Sequence, residues 1–126
     1  MPAKARTPEQ LHRFWTEYFI AGDLDRLVSL YEPNATVAAQ SGASVTGRRA
    51  IREVLARFIA LRRKFEMEIG RALVSGEIAL LASSWKLEGE RRGEPYETTG
   101  RTADVARRQP DGSWLLVIES PYGEGA

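Results

Sequence analysis

Cysteine is absent from the 126 residues, which removes disulfides, thiolate metal sites and cysteine nucleophiles, and is compatible with a reducing compartment. Histidine occurs once, so a zinc site would need mostly carboxylate ligands, which zinc seldom accepts. Nothing approaches the ~20 consecutive apolar residues of a membrane span, and Met1 to Arg6 lacks the apolar stretch of a secretion signal. An excess of one charge sign is missing too. The 18 Lys and Arg against 17 Asp and Glu leave +1, which offers no general attraction to nucleic acid or to an anionic membrane. The basic runs Arg62-Arg63-Lys64 and Arg91-Arg92 have Glu66, Glu68, Glu88, Glu90 and Glu94 beside them, as expected of a solvated helix end and a hairpin tip. No glycine-rich phosphate loop, serine elbow or metal-helix motif is present. These absences predict a cytoplasmic protein with no metal or cofactor, no nucleic-acid partner and no membrane. The length predicts a single domain over residues 1–126, with 1–6 as a flexible start, large enough to bury a core without crosslinks.

Thr7-Pro8-Glu9-Gln10 supplies a capping threonine, a proline at the first helical position and a glutamine to close a capping box. Leu11, Phe14, Trp15, Tyr18 and Phe19 follow at helical spacing until Gly22. Asp23 then caps a shorter helix whose inner face is read as Leu24, Leu27, Val28 and Tyr31, stopped by Pro33 and Asn34. Short strands are expected at Ala35 to Gln40 and Ser44 to Thr46. A third helix follows Gly47, with Ile51, Val54, Leu55, Phe58 and Ile59 on one side. From Phe65 the period changes to two. Strands are predicted from Phe65 to Leu73, from Ile78 to Glu88 with Ala79, Leu81, Ser83, Trp85 and Leu87 on one face, from Tyr96 to Arg108, and from Trp114 to Ser120, with a charged loop over Gly89 to Gly93. Helices first and antiparallel strands last indicate an α+β layer with helices on one face of a sheet.

The last turn, Gln109-Pro110-Asp111-Gly112-Ser113, fits a three-residue loop with Gln109 facing Ser113. Counting outward pairs Ala106 with Leu116, Asp104 with Ile118 and Thr102 with Ser120 on one face, and Val105 with Val117 and Ala103 with Glu119 on the other. Asp104 then stands among apolar neighbours, where a carboxylate must be paired, hydrogen-bonded or protonated. It is either a structural partner of a nearby Arg or Trp, or a pocket acid facing a ligand oxygen. A two-residue loop would instead set Asp104 opposite Glu119, a carboxylate pair whose pKa values are driven apart.

Ala21-Gly22-Asp23-Leu24-Asp25-Arg26-Leu27-Val28-Ser29-Leu30-Tyr31-Glu32-Pro33-Asn34-Ala35-Thr36-Val37, the helix opening Gly47-Arg48-Arg49-Ala50-Ile51-Arg52 and the ending Arg107-Arg108-Gln109-Pro110-Asp111-Gly112-Ser113-Trp114 resemble the nuclear transport factor 2-like superfamily, in particular its SnoaL-like and ketosteroid isomerase-like domains. The resemblance runs from about Thr7 to Gly123. It implies a cystatin-like α+β roll: a cone of three N-terminal helices on a strongly curved, mainly antiparallel sheet, with a pocket between them and a homodimer formed through the sheet. Carried over by position, the general base of the ketosteroid isomerases falls on Ala39, so that mechanism is missing its base. The oxyanion-hole tyrosine falls on Trp15, which donates a hydrogen bond but exchanges no proton. Tyr31 resembles a supporting tyrosine, and Asp104 stands where the protonated oxyanion-hole acid is found.

His12 lies one and two turns before Trp15 and Phe19 and is the one base suited to neutral pH, although a histidine beside Arg13 on a first helix is ordinarily exposed. Trp15, Phe19, Tyr31, Phe58, Trp85 and Tyr122 are candidate pocket lining, about half of them expected to face open space, with Thr102, Ser120 and Gln40 as polar additions. The leading expectation is a pocket for a small hydrophobic, oxygen-bearing molecule with Asp104 as its main buried polar group. A cofactor-independent isomerase, cyclase or dehydratase using Asp104 and His12 is the second. A dimeric interaction module, covering the apolar strand face of Ala103, Val105, Leu115 and Val117, is the third.

Overall fold

The computed structural model describes residues 4–39 and 41–123; Gln40, expected to add a polar contact, lies outside them. Helix α1 (Pro8–Ala21) begins where Thr7 Oγ1 accepts the Gln10 N–H at 3.4 Å, while the Gln10 side chain takes the Arg6 N–H at 2.7 Å, one residue before the cap. Gly22 ends it in the left-handed region at φ 72°. Helix α2 (Leu24–Val28) is capped by Asp23, which accepts the Arg26 N–H.

The second helix is shorter than its sequence suggests. Tyr31 opens strand β1 (Tyr31–Ala38) instead of closing α2's inner face, because the chain is captured there by the last strand, β9 (Trp114–Glu119). Leu30 O accepts the Leu116 N–H at 2.8 Å, and β1 runs parallel to β9 with an irregularity between Tyr31 and Thr36 that accommodates Pro33, which has no N–H to give. Strand β2 (Ser44–Thr46) pairs with β1, and helix α3 (Arg48–Leu61) then buries Ile51 and Leu55. Lys4 to Arg6, expected within a flexible start, lie against the final hairpin: Ala5 O accepts the Trp114 N–H and Arg6 reaches Asp111 O.

Seven strands complete the fold: β3 (Arg62–Glu68), β4 (Leu73–Ser75), β5 (Ile78–Leu81), β6 (Ser84–Arg91), β7 (Glu94–Arg101), β8 (Asp104–Arg108) and β9. They form two sheets, β2-β1-β9-β8-β5-β4 and β3-β6-β7, in which every pair but β1–β9 is antiparallel. Each strand read as long in the sequence is thus cut in two and changes sheet, at 69–72, 82–83 and 102–103. The crossings lie side by side. Ser83 Oγ accepts the Gly70 N–H, Thr102 Oγ1 accepts the Ser83 N–H, and Ser83 O accepts the Thr102 N–H. Gly70 is required at this seam, since a Cβ there would sit 1.9 Å from Ala82 O. Ala79, Leu81, Ser83, Trp85 and Leu87 nevertheless all point inward as expected, because the chain keeps its pleat across the corner while exchanging hydrogen-bond partners. The first corner does not keep it: Met67 points in, whereas Ile69 and Leu73 are exposed. The charged segment Gly89 to Gly93 is mostly strand, with Gly89 to Arg91 in β6 and a tight turn at Arg92-Gly93.

The final hairpin follows the three-residue-loop register from Arg108–Trp114 to Ala106–Leu116, and then slips. Val105 pairs with Ile118, so Val117 is an extra residue, a bulge in β9. The expected pairing of Asp104 with Ile118 on the inside is therefore replaced. Ile118 turns outward and Glu119 turns in beside Asp104, the arrangement that the two-residue loop would have produced, reached by a different route.

Candidate functional site: a polar cluster in an apolar cavity

Helices α1 and α3 and the concave sheet surface enclose a cavity of about 440 Å³. Its walls are aromatic and aliphatic. Trp15 stacks on Phe19 with centroids 4.9 Å apart, both tilt against Phe65, and Trp85 meets Tyr122 edge-on at 5.4 Å. Of the expected lining, Trp15, Phe19, Phe58, Trp85, Thr102 and Tyr122 do border the cavity. Tyr31 and Ser120 do not: Tyr31 is fully buried behind the wall, and the Ser120 side chain turns to Gly123 O. Ala39 borders the cavity with a methyl group where the resemblance puts a general base.

Polar groups gather at one place. His12 is buried at 2% exposure, not solvated on the helix surface. Its Nε2 lies 2.7 Å from Asp104 Oδ2 and its Nδ1 2.7 Å from Ser83 Oγ, joining α1 to two of the sheet crossings. Asp104 Oδ1 accepts the Ser120 N–H at 2.9 Å. Ser83 Oγ already accepts the Gly70 N–H, so its own hydrogen is available to His12 Nδ1, which leaves the imidazole hydrogen on Nε2, directed at Asp104. The partner of buried Asp104 is thus His12, not the Arg or Trp of the structural reading.

A second chain of hydrogen bonds ends beside the first. Trp15 Nε1–H donates to Tyr31 OH at 2.8 Å, and Tyr31 OH donates to Glu119 Oε2 at 2.8 Å. Burial, reinforced by the neighbouring Asp104 charge and opposed by the Tyr31 hydrogen bond, pushes the Glu119 carboxyl up to about 8. Burial and the same two carboxylates hold the Tyr31 phenol well above its ordinary value, so it stays a donor. Glu119 accordingly holds a proton at neutral pH. Among the described residues no group of three His, Asp or Glu is arranged to hold a metal ion.

Glu119 is the cavity residue that the sequence pattern sets on the wrong face. Trp114, Leu116, Ile118 and Ser120 alternate regularly, which sets Glu119 on the outer face. Its only signal is the alternative register that puts it opposite Asp104. Phe65, Met67, Val54 and Tyr96 border the cavity in addition to the candidates, Val54 from the same side of its helix as Phe58.

The profile of the SnoaL-like domain matches residues 11–117. The chain belongs to the SnoaL-like domain family. No curated protein matches it in sequence. Among solved structures, a ketosteroid isomerase-like protein from Erwinia carotovora atroseptica superposes with TM-score 0.74 at 15% identity over 89% of each chain. A nuclear transport factor 2-like protein with a cystatin-like fold from Novosphingobium aromaticivorans gives TM-score 0.71 at 19% identity over 94% of this chain and 80% of that one. A protein described as a candidate calcium/calmodulin-dependent protein kinase type II association domain, from Thiobacillus denitrificans, gives 0.76 at 18% over 96% and 98%. At such identities these likenesses establish the fold: this SnoaL-like chain is a mixed α+β cone of three helices on a strongly curved, mostly antiparallel sheet. SnoaL-like domains include small-molecule binders and cofactor-independent isomerases and dehydratases. No helix in the described part is long and apolar enough to cross a membrane.

Proposed function

We propose that this SnoaL-like domain takes a small hydrophobic, oxygen-bearing molecule into the cone and moves a proton on it without a cofactor, as an isomerase, cyclase or dehydratase does. The observation that carries this reading is the buried His12–Asp104 pair in a mostly apolar cavity, since an acid–base group in a dry, shaped pocket is what such chemistry requires. Ketosteroid isomerisation through a base at the aligned position is not the reaction, because that position is Ala39. His12 has both ring nitrogens engaged, so its part is to hold and orient Asp104.

The test needs no knowledge of the natural substrate. 2-Tetralone, a bicyclic ketone with labile α-protons, is incubated with the protein in D2O and followed by proton NMR. Deuterium exchange above the buffer rate is expected, together with its loss in Asp104→Asn. Exchange at the buffer rate, with 2-tetralone still quenching the fluorescence of Trp15 and Trp85, would leave a binding domain without catalysis.

A second copy of the chain is the partner we propose for the outer sheet surface. Leu73, Leu80, Val105 and Ile118 pair in turn across β4, β5, β8 and β9, and all four face away from the helices. Leu73, Leu80 and Ile118 are 62%, 45% and 44% exposed, a row apolar enough to call for cover. Sedimentation as a dimer at micromolar concentration is expected.

A further inference from the structure

We propose that Glu119, rather than Asp104, is the group that meets the carbonyl oxygen of the ligand: its carboxyl, held through Oε2 by Tyr31, presents Oε1 to the cavity as a hydrogen-bond donor to that oxygen of a neutral ligand, and Asp104 keeps its part in moving a proton at another atom of the ligand. This assignment rests on the pocket reading above and names the polar contact within it.

The geometry distinguishes the two acids. Asp104 has both oxygens engaged, Oδ1 by the Ser120 N–H and Oδ2 by His12 Nε2, and is 0% exposed. Both acids border the cavity, but Glu119 has only one oxygen engaged, by Tyr31, and is 7% exposed. No described residue bonds to its Oε1. Because Tyr31 OH is a donor, it occupies Oε2 as an acceptor, and a proton on the carboxyl belongs on Oε1, the oxygen that faces the ligand. The charged and titratable groups around Glu119 are Asp104 on β8, Tyr31 on β1 and, behind Asp104, His12 on α1. The wall residues of α3, β3 and β6 near the cluster are apolar, among them Leu55, Phe58, Phe65, Met67 and Leu87. Arg91, whose guanidinium lies over Tyr96, also borders the cavity but sits at the hairpin end of β6.

This arrangement selects ligand chemistry. A carboxylate or phenolate end would lie beside the Asp104 charge in a poorly solvated place and be repelled, whereas a ketone, aldehyde, ester or quinone oxygen accepts the Glu119 hydrogen without adding charge. The class of ligand is therefore an apolar body bearing a neutral carbonyl.

The experiment uses 2-acetonaphthone, which is neutral throughout, and 2-naphthoate, its anionic counterpart, with tryptophan quenching as the readout from about pH 6 to about pH 9.5. The wild type is expected to prefer the ketone, and its ketone affinity to fall roughly tenfold as pH rises through the loss of the Glu119 proton. In Glu119→Gln, whose amide keeps a donor but does not titrate, the ketone still binds and this pH dependence disappears. Tyr31→Phe, which leaves the cavity wall in place and removes the donor on Oε2, moves the midpoint to higher pH. Circular dichroism confirms that both variants are folded. A flat wild-type profile, one that persists in Glu119→Gln, or a preference for 2-naphthoate overturns the Glu119 assignment while leaving the pocket reading intact. Failure of both probes to bind the folded wild type overturns the pocket reading and this assignment together.

Discussion

Two adjacent residues of β9 stand on opposite sides of one sheet and in each other's ordinary surroundings. Glu119 faces the cone interior and is buried, while Ile118 faces outward and is 44% exposed. The contrast extends across the sheet. Inside, β5, β8 and the chain just after β9 hold Leu81, Asp104 and Ser120 around His12; outside, the corresponding row is Leu80, Val105 and Ile118. A single extra residue, Val117, separates this state from the regular hairpin, in which Ile118 would fill the interior and Glu119 would be solvated. In a period-two structure, a one-residue slip is enough to exchange a buried aliphatic for a buried acid. The inner site is thus built by backbone irregularity, whereas the outer apolar row is what regular pairing leaves behind.

The largest expected effect comes from breaking the inner cluster. Asp104→Ala leaves both His12 Nε2 and the Ser120 N–H buried without a partner and should lower unfolding free energy by about 3 kcal/mol in urea titration, whereas Asp104→Asn, which retains an acceptor, should lose less. An unaffected Asp104→Ala protein would mean that the cluster contributes no structure.

The next effect, smaller for each step of one pH unit, is in pH dependence. Glu119 titrates near 8 when folded and near its ordinary 4.5 when unfolded, so between those values the native state holds a proton that the unfolded chain has released. Stability from this group is fully present below pH 4.5 and falls as pH rises towards 8, by of order 1 kcal/mol per pH unit within that window. Comparing unfolding at several pH values in the wild type and Glu119→Gln isolates it: the variant should show the shallower decline, and equal slopes would place the Glu119 proton elsewhere.

The smallest effect on the fold itself belongs to the outer row. Ile118→Lys should change the stability of the isolated chain by no more than about 0.5 kcal/mol yet convert a sedimenting dimer to a monomer. A dimer that survives Ile118→Lys intact would move the interface to another surface.

Much of the scaffold is legible in the linear order of residues. Thr7, Gly22 and Asp23 mark helix boundaries because capping is local chemistry, and the inward series from Ala79 to Leu87 is readable because alternation reports which face a side chain occupies. Alternation does not report the neighbour to which a strand is bonded, so the three sheet crossings leave no mark and split strands read as continuous ones. Tyr31 reads as helical because its pairing partner, Leu116, is remote in sequence. His12 reads as a surface residue for the same reason: Ser83 and Asp104, which bury it, are 71 and 92 residues away. The aromatic lining is largely legible because Trp15, Phe19 and Phe58 fall on the inner sides of amphipathic helices.

Residue type and short-range periodicity are sufficient for the helix caps, the aromatic interior, the absence of thiol chemistry and the presence of one carboxylate, Asp104, on an apolar strand face. Two features needed the assembled chain: His12 completing Asp104, and the Val117 bulge that brings Glu119 inside. Both depend on where distant segments meet, and a hydrogen bond between remote residues, or an unpaired residue in a ladder, leaves no trace in the local pattern of either strand.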